Sequence, residues 1–114
     1  MKLAKTQDLI DKDYRWKNRL VIVDTSKDEA VYKSQKLEFD KDPAGIEERK
    51  LLLKKSTGIE LSASVLQKLH DHKVLLIGLD GGVKIESAEV FALEELFAII
   101  DGMPMRRAEI KGGE

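Results

Sequence analysis

The chain has no cysteine and two histidines, and those counts bound its chemistry. Without a thiol there is no disulfide, no Cys–zinc site, no thiolate nucleophile and no dithiol redox couple. Both histidines fall in His70-Asp71-His72. On an extended segment, positions i and i+2 project to one side, which suits two imidazole ligands of a metal ion. Asp71 then points away, so a third ligand must come from elsewhere, with Glu60 and Asp80 as acidic candidates. Two ligands fall short of a site, and an exposed, solvated loop is the simpler reading. Ser26 is a nucleophile only with a general base in hydrogen-bond reach. It also stands three residues before Glu29, the S-x-x-E spacing of a capping box, which accounts for both residues. Asp80-Gly81-Gly82 precedes a strand-like alternation rather than a helix, so it reads as a turn and not a phosphate cradle.

Two further clusters suit binding. Arg15, Trp16, Lys17 and Arg19 stand directly before an apolar run. They can meet an anionic or aromatic partner, or Trp16 can anchor on the sheet edge while the cations reach solvent. Met103-Pro104-Met105-Arg106-Arg107 closes the last apolar stripe. Its methionines can cap the core while Arg106 and Arg107 meet the helix C-terminal carbonyls, or the segment can face a protein partner.

The elements that must position these residues follow from length and pattern. A chain of 114 residues is one domain. Twenty basic against 21 acidic side chains give a net charge of −1, unlike the basic excess of a dedicated nucleic-acid binder. Residues 1–57 carry 14 basic and 11 acidic groups, net +3, and residues 58–114 carry 6 and 10, net −4. This mild dipole reads as ordinary solvated surface. No apolar run approaches the roughly 18 residues that cross a bilayer. The first residues, Met1 to Asp8, lack the apolar stretch of a secretory leader. The expected compartment is the cytoplasm, or the periplasm or exterior if a leader has been removed.

Residues 1–18 are polar, with room for one helical turn at Asp8–Asp11. Leu20-Val21-Ile22-Val23 is apolar and β-branched throughout, the signature of a strand buried on both faces. The capping box predicts a helix from about Lys27 to Phe39. Asp42-Pro43-Ala44-Gly45 reads as a turn, and Arg49–Lys54 as a second strand. Ser62 caps a short helix through about Leu69, and Val74–Ile77 is another buried strand. Val83–Glu86 then pairs back as a hairpin. Leu93, Leu96, Phe97 and Ile100 form the core stripe of a helix over about Leu93–Asp101. Gly102 ends that helix, and Pro104 is expected to prevent its resumption. The order β-α-β-α-β-β-α, with right-handed crossovers, gives a mixed sheet of about four strands flanked by helices.

Three segments carry a family resemblance: Tyr14-Arg15-Trp16-Lys17-Asn18-Arg19, Leu76–Lys84 around Leu79-Asp80-Gly81-Gly82, and Leu96–Arg107. In that order they resemble the bacterial P-DUDES family, a family of unknown function. Its relatives include domains of sushi-repeat and Equarin-type extracellular-matrix proteins. The resemblance implies a single α/β domain of thioredoxin-like fold, distantly similar to peroxiredoxins, with no established activity. Thioredoxin-like enzymes carry a redox cysteine just after the first strand. Here those positions are Asp24-Thr25-Ser26-Lys27-Asp28. Such enzymes also carry a cis-proline before the third strand, where this sequence has His70-Asp71-His72-Lys73. A thiol oxidoreductase or peroxidase is therefore excluded.

The expected organisation is a polar segment over 1–13, the thioredoxin-like domain over 14–107 and a polar tail over 108–114. The expected function is a non-catalytic module binding a protein partner, with no cofactor, no metal, no nucleic acid and no membrane span. The candidate binding residues are Arg15, Trp16, Arg19, Lys84, Arg106 and Arg107. The alternative is an enzyme or metal-dependent protein using His70 and His72.

Overall fold

The computed structural model describes residues 14–112. The expected helical turn at Asp8–Asp11 and the segment 1–13 lie outside them. The elements run β1 (Arg19–Val23), α1 (Ala30–Phe39), α2 (Pro43–Glu48) and β2 (Leu51–Lys55). A 3-10 turn (Ser56–Gly58) leads to α3 (Ala63–His72), β3 (Val74–Ile77), β4 (Val83–Ser87), α4 (Leu93–Asp101) and α5 (Pro104–Gly112).

The four strands form one mixed sheet in the order β2-β1-β3-β4. β1 runs parallel to β2 and antiparallel to β3, and β3 pairs antiparallel with β4. Every residue of β1 and β3 is buried, because both strands are central and helices cover both faces. The strand period of two divides the core. Val21, Val23, Val74 and Leu76 face Phe39 of α1, together with Leu96 and Ile100 of α4. Leu20, Ile22, Leu75 and Ile77 face Val65 and Leu69 of α3. Each such side chain contributes about 1.5–3 kcal/mol by leaving water. Arg19 shares the parity of Val21 and Val23, so the register alone places a guanidinium on the α4 side of the sheet.

Several expectations held at the level of the element. β1, the Ser62 cap (its hydroxyl accepts from Val65 N–H), β3, the β3–β4 hairpin and α4 stand where the pattern puts them. Four others need correction. The Ser26–Glu29 capping box does not form. Asp24 Oδ1 takes the Ser26 N–H at 2.9 Å, Asp28 Oδ1 takes the Ala30 N–H at 2.9 Å, and α1 starts at Ala30. A short side chain bonding two residues ahead competes with the helix here. Residues 42–45 open α2 rather than a simple turn. Asp42 caps it by accepting from Gly45 N–H at 3.1 Å, and Pro43 supplies the preset φ of a first helical residue.

Pro104 likewise starts α5 instead of stopping the helix run, which is the same rule at the other proline. Lastly, His70 and His72 close α3 and are not extended, so i and i+2 point to different sides.

A buried glutamine ties α1 to the loop before α4. Gln35 Nε2 donates to the Phe91 carbonyl at 2.9 Å, and its Oε1 accepts the Phe91 N–H at 2.8 Å. The amide thus satisfies both backbone groups of a residue that no strand pairs.

Candidate functional site

The N-terminal end of β1 gathers residues from all three segments that carry the family resemblance. Arg19 begins the strand, Gly78, Leu79 and Asp80 leave β3 at the same end, and Met103, Pro104 and Met105 open α5. Together with Lys84 they line a cavity of about 270 Å³. The antiparallel pairing of Leu20 with Ile77 fixes why the two strand ends meet there. Gly81, with φ of 86°, allows the tight return from Gly78 to Gly82, where Gly78 N–H donates to the Gly82 carbonyl at 3.0 Å. Gly78 also lets the Lys84 stem lie against the backbone. A Cβ there would come within 2.5 Å of Lys84 Cε.

Arg19 is 1% exposed. Its Nη1 donates to the Arg49 carbonyl at 2.9 Å and to Glu109 Oε1 at 3.3 Å. Its Nε and Nη2 are buried with no partner. Leaving a buried donor unpaired costs about 1–3 kcal/mol, more for a charged group, and these are the buried side-chain nitrogens without a partner among the described residues.

Behind Arg19 lies an ion network. Glu109 also meets Arg106 Nη1 at 3.4 Å and Lys50 Nζ at 3.6 Å. Arg106, 4% exposed, reaches Glu48 Oε2 at 2.6 Å, the Glu48 carbonyl at 3.4 Å and Asp101 Oδ1 at 3.1 Å. Arg49 grips both oxygens of Asp101, at 3.0 and 2.9 Å, and stacks 3.8 Å over the Phe97 ring. Hydrogen bonds from Arg49 hold the Asp101 carboxyl below the usual aspartate value of 3.8, with Arg106 adding to them against the opposing effect of burial. For Arg106, burial works against its charge, but the bonds to Glu48, Asp101 and Glu109 outweigh it and raise its pKa. The network joins α2, α4, α5 and the start of β1.

The six residues expected to bind therefore divide. Arg19 and Lys84 line the cavity, Lys84 being paired with Asp80 at 2.9 Å. Arg106 is corrected from an interaction surface to a buried structural cation. It does meet a helix C-terminal carbonyl, but that of α2 rather than of α4. Arg107 is exposed on α5, and Arg15 is half-buried. Trp16, a candidate binding residue whose alternative reading is an anchor on the sheet edge, does not pack on the sheet. It is 60% exposed and has φ of 69°, a left-handed conformation that costs a bulky residue roughly 1–2 kcal/mol. Its N–H donates to the Leu79 carbonyl, which sets it beside the cavity. Met105, at 43%, is a second large apolar side chain exposed at this rim.

Arg49, Glu48, Asp101 and Glu109 went unread in the sequence. Their partners lie far along the sequence, 52 residues for Arg49–Asp101 and 90 for Arg19–Glu109, so no local spacing marks them. Arg19 did leave a signal, because it has the parity of inward-facing valines in a strand buried on both faces.

The histidines do not form a shared site. His70 Nδ1 lies 3.4 Å from Asp24, and His72 Nε2 lies 3.0 Å from Glu86. Among the described residues, no three His, Asp or Glu side chains converge to hold a metal ion.

Comparison with known proteins places this arrangement. The family model described as Domain of unknown function (DUF4174) matches residues 11–109. The chain belongs to that family. No curated protein matches it. Among solved structures, the DUF4174 domain is similar to reduced 2-Cys peroxiredoxin of Plasmodium vivax. The TM-score is 0.52 at 16% identity, covering 84% of this chain and 83% of that one. The likeness shows the fold: an α/β domain of thioredoxin-like type.

In this DUF4174 domain the C-terminal end of β1, where thioredoxin-like enzymes carry a cysteine, is bonded shut on itself. Asp24 N–H donates to the Lys73 carbonyl at 2.8 Å, and Thr25 N–H donates to Ser56 Oγ at 3.0 Å. Burial alone would raise the Asp24 carboxyl. Hydrogen bonds from Ser26 and the neighbouring His70 hold it below the usual value instead.

Proposed function

We propose that this DUF4174 domain is a non-catalytic binding module whose partner, a protein, engages the N-terminal end of β1. The carrying observation is Arg19, which lines a cavity formed by three distant segments and keeps two side-chain nitrogens buried with no protein partner. A domain with no further role for that end would fill the cavity or pair the remaining donors of the guanidinium. The exposed Trp16 and Met105 at the rim are the residue types that anchor protein interfaces, and Arg107 and Arg15 add cationic reach. The resemblance of the three segments to P-DUDES, and through it to sushi-repeat and Equarin-type matrix domains, supports an adhesion-like role over an enzymatic one.

The test is affinity capture from native lysate and periplasmic extract with variants at the two ends of β1. Trp16→Ala/Arg107→Glu changes exposed residues and leaves the ion network intact. The module reading expects a partner that the parent and His70→Ala both capture and the double variant loses. A partner retained by the double variant and lost by His70→Ala would move the interface to the opposite end and sink this reading.

A further inference from the structure

Resting on the binding-module reading, we propose that the Arg19 cavity receives a carboxylate carried by a short apolar group. The guanidinium Nη1 is already committed to the Arg49 carbonyl and Glu109. The free atoms are Nε and Nη2, which share one edge of the planar group. That edge presents two parallel N–H donors at the spacing of two carboxylate oxygens, the side-on fork of Arg–carboxylate pairs.

The surrounding charge also lacks one anion. Arg19, Arg49, Arg106 and Lys50 are joined through three carboxylates, those of Glu48, Asp101 and Glu109. The first residues of α5 form part of the cavity wall, so the positive end of that helix adds to the same field. Asp80 is the opposing charge at the rim. It is engaged there by Lys84 Nζ at 2.9 Å and by Gly82 N–H at 2.9 Å.

The rest of the wall suits an apolar body. Leu79, Met103, Pro104 and Met105 supply it. A cavity of about 270 Å³ lies at the small end of ligand sites, which run from about 300 Å³ upward. It holds a branched acyl group or one terminal side chain. The Nε–Nη2 edge is closed to solvent, so entry requires a wall side chain to move. Methionine, unbranched with three rotatable bonds, is suited to that.

Two sources share this chemistry, a free short acid and the terminal carboxylate of a partner polypeptide. The test is a titration of the nitrogen-15-labelled full-length protein, read at the Arg19 Nε–H resonance. The probes are isocaproate, N-acetyl-leucine, the amide of each, and inorganic phosphate. The expected result is a saturable shift with the acids and at least tenfold weaker binding of the amides. N-acetyl-leucine binding tighter points to a polypeptide terminus, isocaproate binding tighter to a free acid, and either supports the proposal. A resonance unmoved by both acids, amides binding equally, or phosphate binding as tightly as the acids would overturn it.

Arg19→Lys keeps the charge, loses the fork and is expected to weaken acid binding at least tenfold. Because that change also touches Glu109, Met105→Trp serves as the second variant. It fills the cavity from an exposed position and is expected to abolish the shift with the fold intact, whereas normal acid binding by it would overturn the assignment. The two readings fail separately. Capture that depends on Trp16 without acid binding sinks only the carboxylate, and acid binding without capture sinks only the protein partner.

Discussion

The two ends of the five-residue strand β1 solve opposite problems. At the C-terminal end, Asp24 and Thr25 spend their backbone donors on Lys73 and Ser56, and the Asp24 carboxylate takes Ser26 N–H and faces His70. The residues that close it are short, polar and mostly solvent-accessible. At the N-terminal end, three arginines are packed behind the sheet, and one of them keeps two donors in reserve. In a thioredoxin-like fold the first end is where chemistry is expected. In this protein the buried nitrogens without a protein partner lie at the second. A fold does not by itself fix which end of its sheet carries a function, and the proposed binding role rests on the unpaired donors of Arg19.

The comparison breaks most visibly at Glu109, which holds Arg19, Arg106 and Lys50 together. Removing one partner from a buried pair costs about 3–5 kcal/mol. Glu109 keeps one-fifth of its side chain in solvent, so Glu109→Gln is expected to destabilise by about 2 kcal/mol after that discount. At the other end, His70→Ala removes a 3.4 Å contact with Asp24 from a histidine that is more than half exposed, and the expected change is under about 0.5 kcal/mol. Urea unfolding of both variants measures the contrast. Equal losses would mean that the two ends contribute alike and that the network is not what sets them apart.

Acid sharpens the same contrast less strongly. Arg49 first, then Arg106, holds the Asp101 carboxyl below 3.8 in the folded state. The unfolded state therefore takes up that proton first as pH falls. The stabilisation is complete above about 3.8 and is lost as pH drops through the folded value. Asp101→Asn is expected to flatten the stability curve below pH 3.8, with no change in slope near neutrality. Urea midpoints at stepped acid pH, compared with the parent, show whether the slope changes.

What the sequence made legible divides along the same line. β1 and β3 were readable because continuous β-branched and leucine runs have few other places to go. α4 was readable because Leu93, Leu96, Phe97 and Ile100 repeat at helical spacing. The local grammar failed where one motif has two meanings. Both prolines read as interruptions, and both start helices, since a missing N–H is harmless in a first turn. Ser26 and Glu29 have the right spacing for a cap, but the Asp24 carboxylate, two residues upstream, captures the Ser26 amide. The candidate site was half legible. Arg19 and Lys84 stand in segments that carry the family resemblance. The carboxylates that bury Arg106 come from α2, α4 and α5, which only folding brings together.

The smallest effect is expected where a thioredoxin-like enzyme would show its largest. Ser26→Cys restores a thiol just after β1. In such enzymes a thiol there sits at a helix N-terminus, whose amides depress its pKa. Here α1 begins four residues later, at Ala30, and the Ser26 amide already donates to Asp24. A carboxylate two residues away disfavours a thiolate, and the exposed position adds little desolvation to raise the pKa further. The expected thiol pKa is therefore about 8.5 or slightly above, the value of an unperturbed cysteine. The pH dependence of its alkylation rate measures this. A pKa near 6 would show that this end of β1 still activates a nucleophile, and the closure of the C-terminal end would then be a matter of the missing sulfur alone.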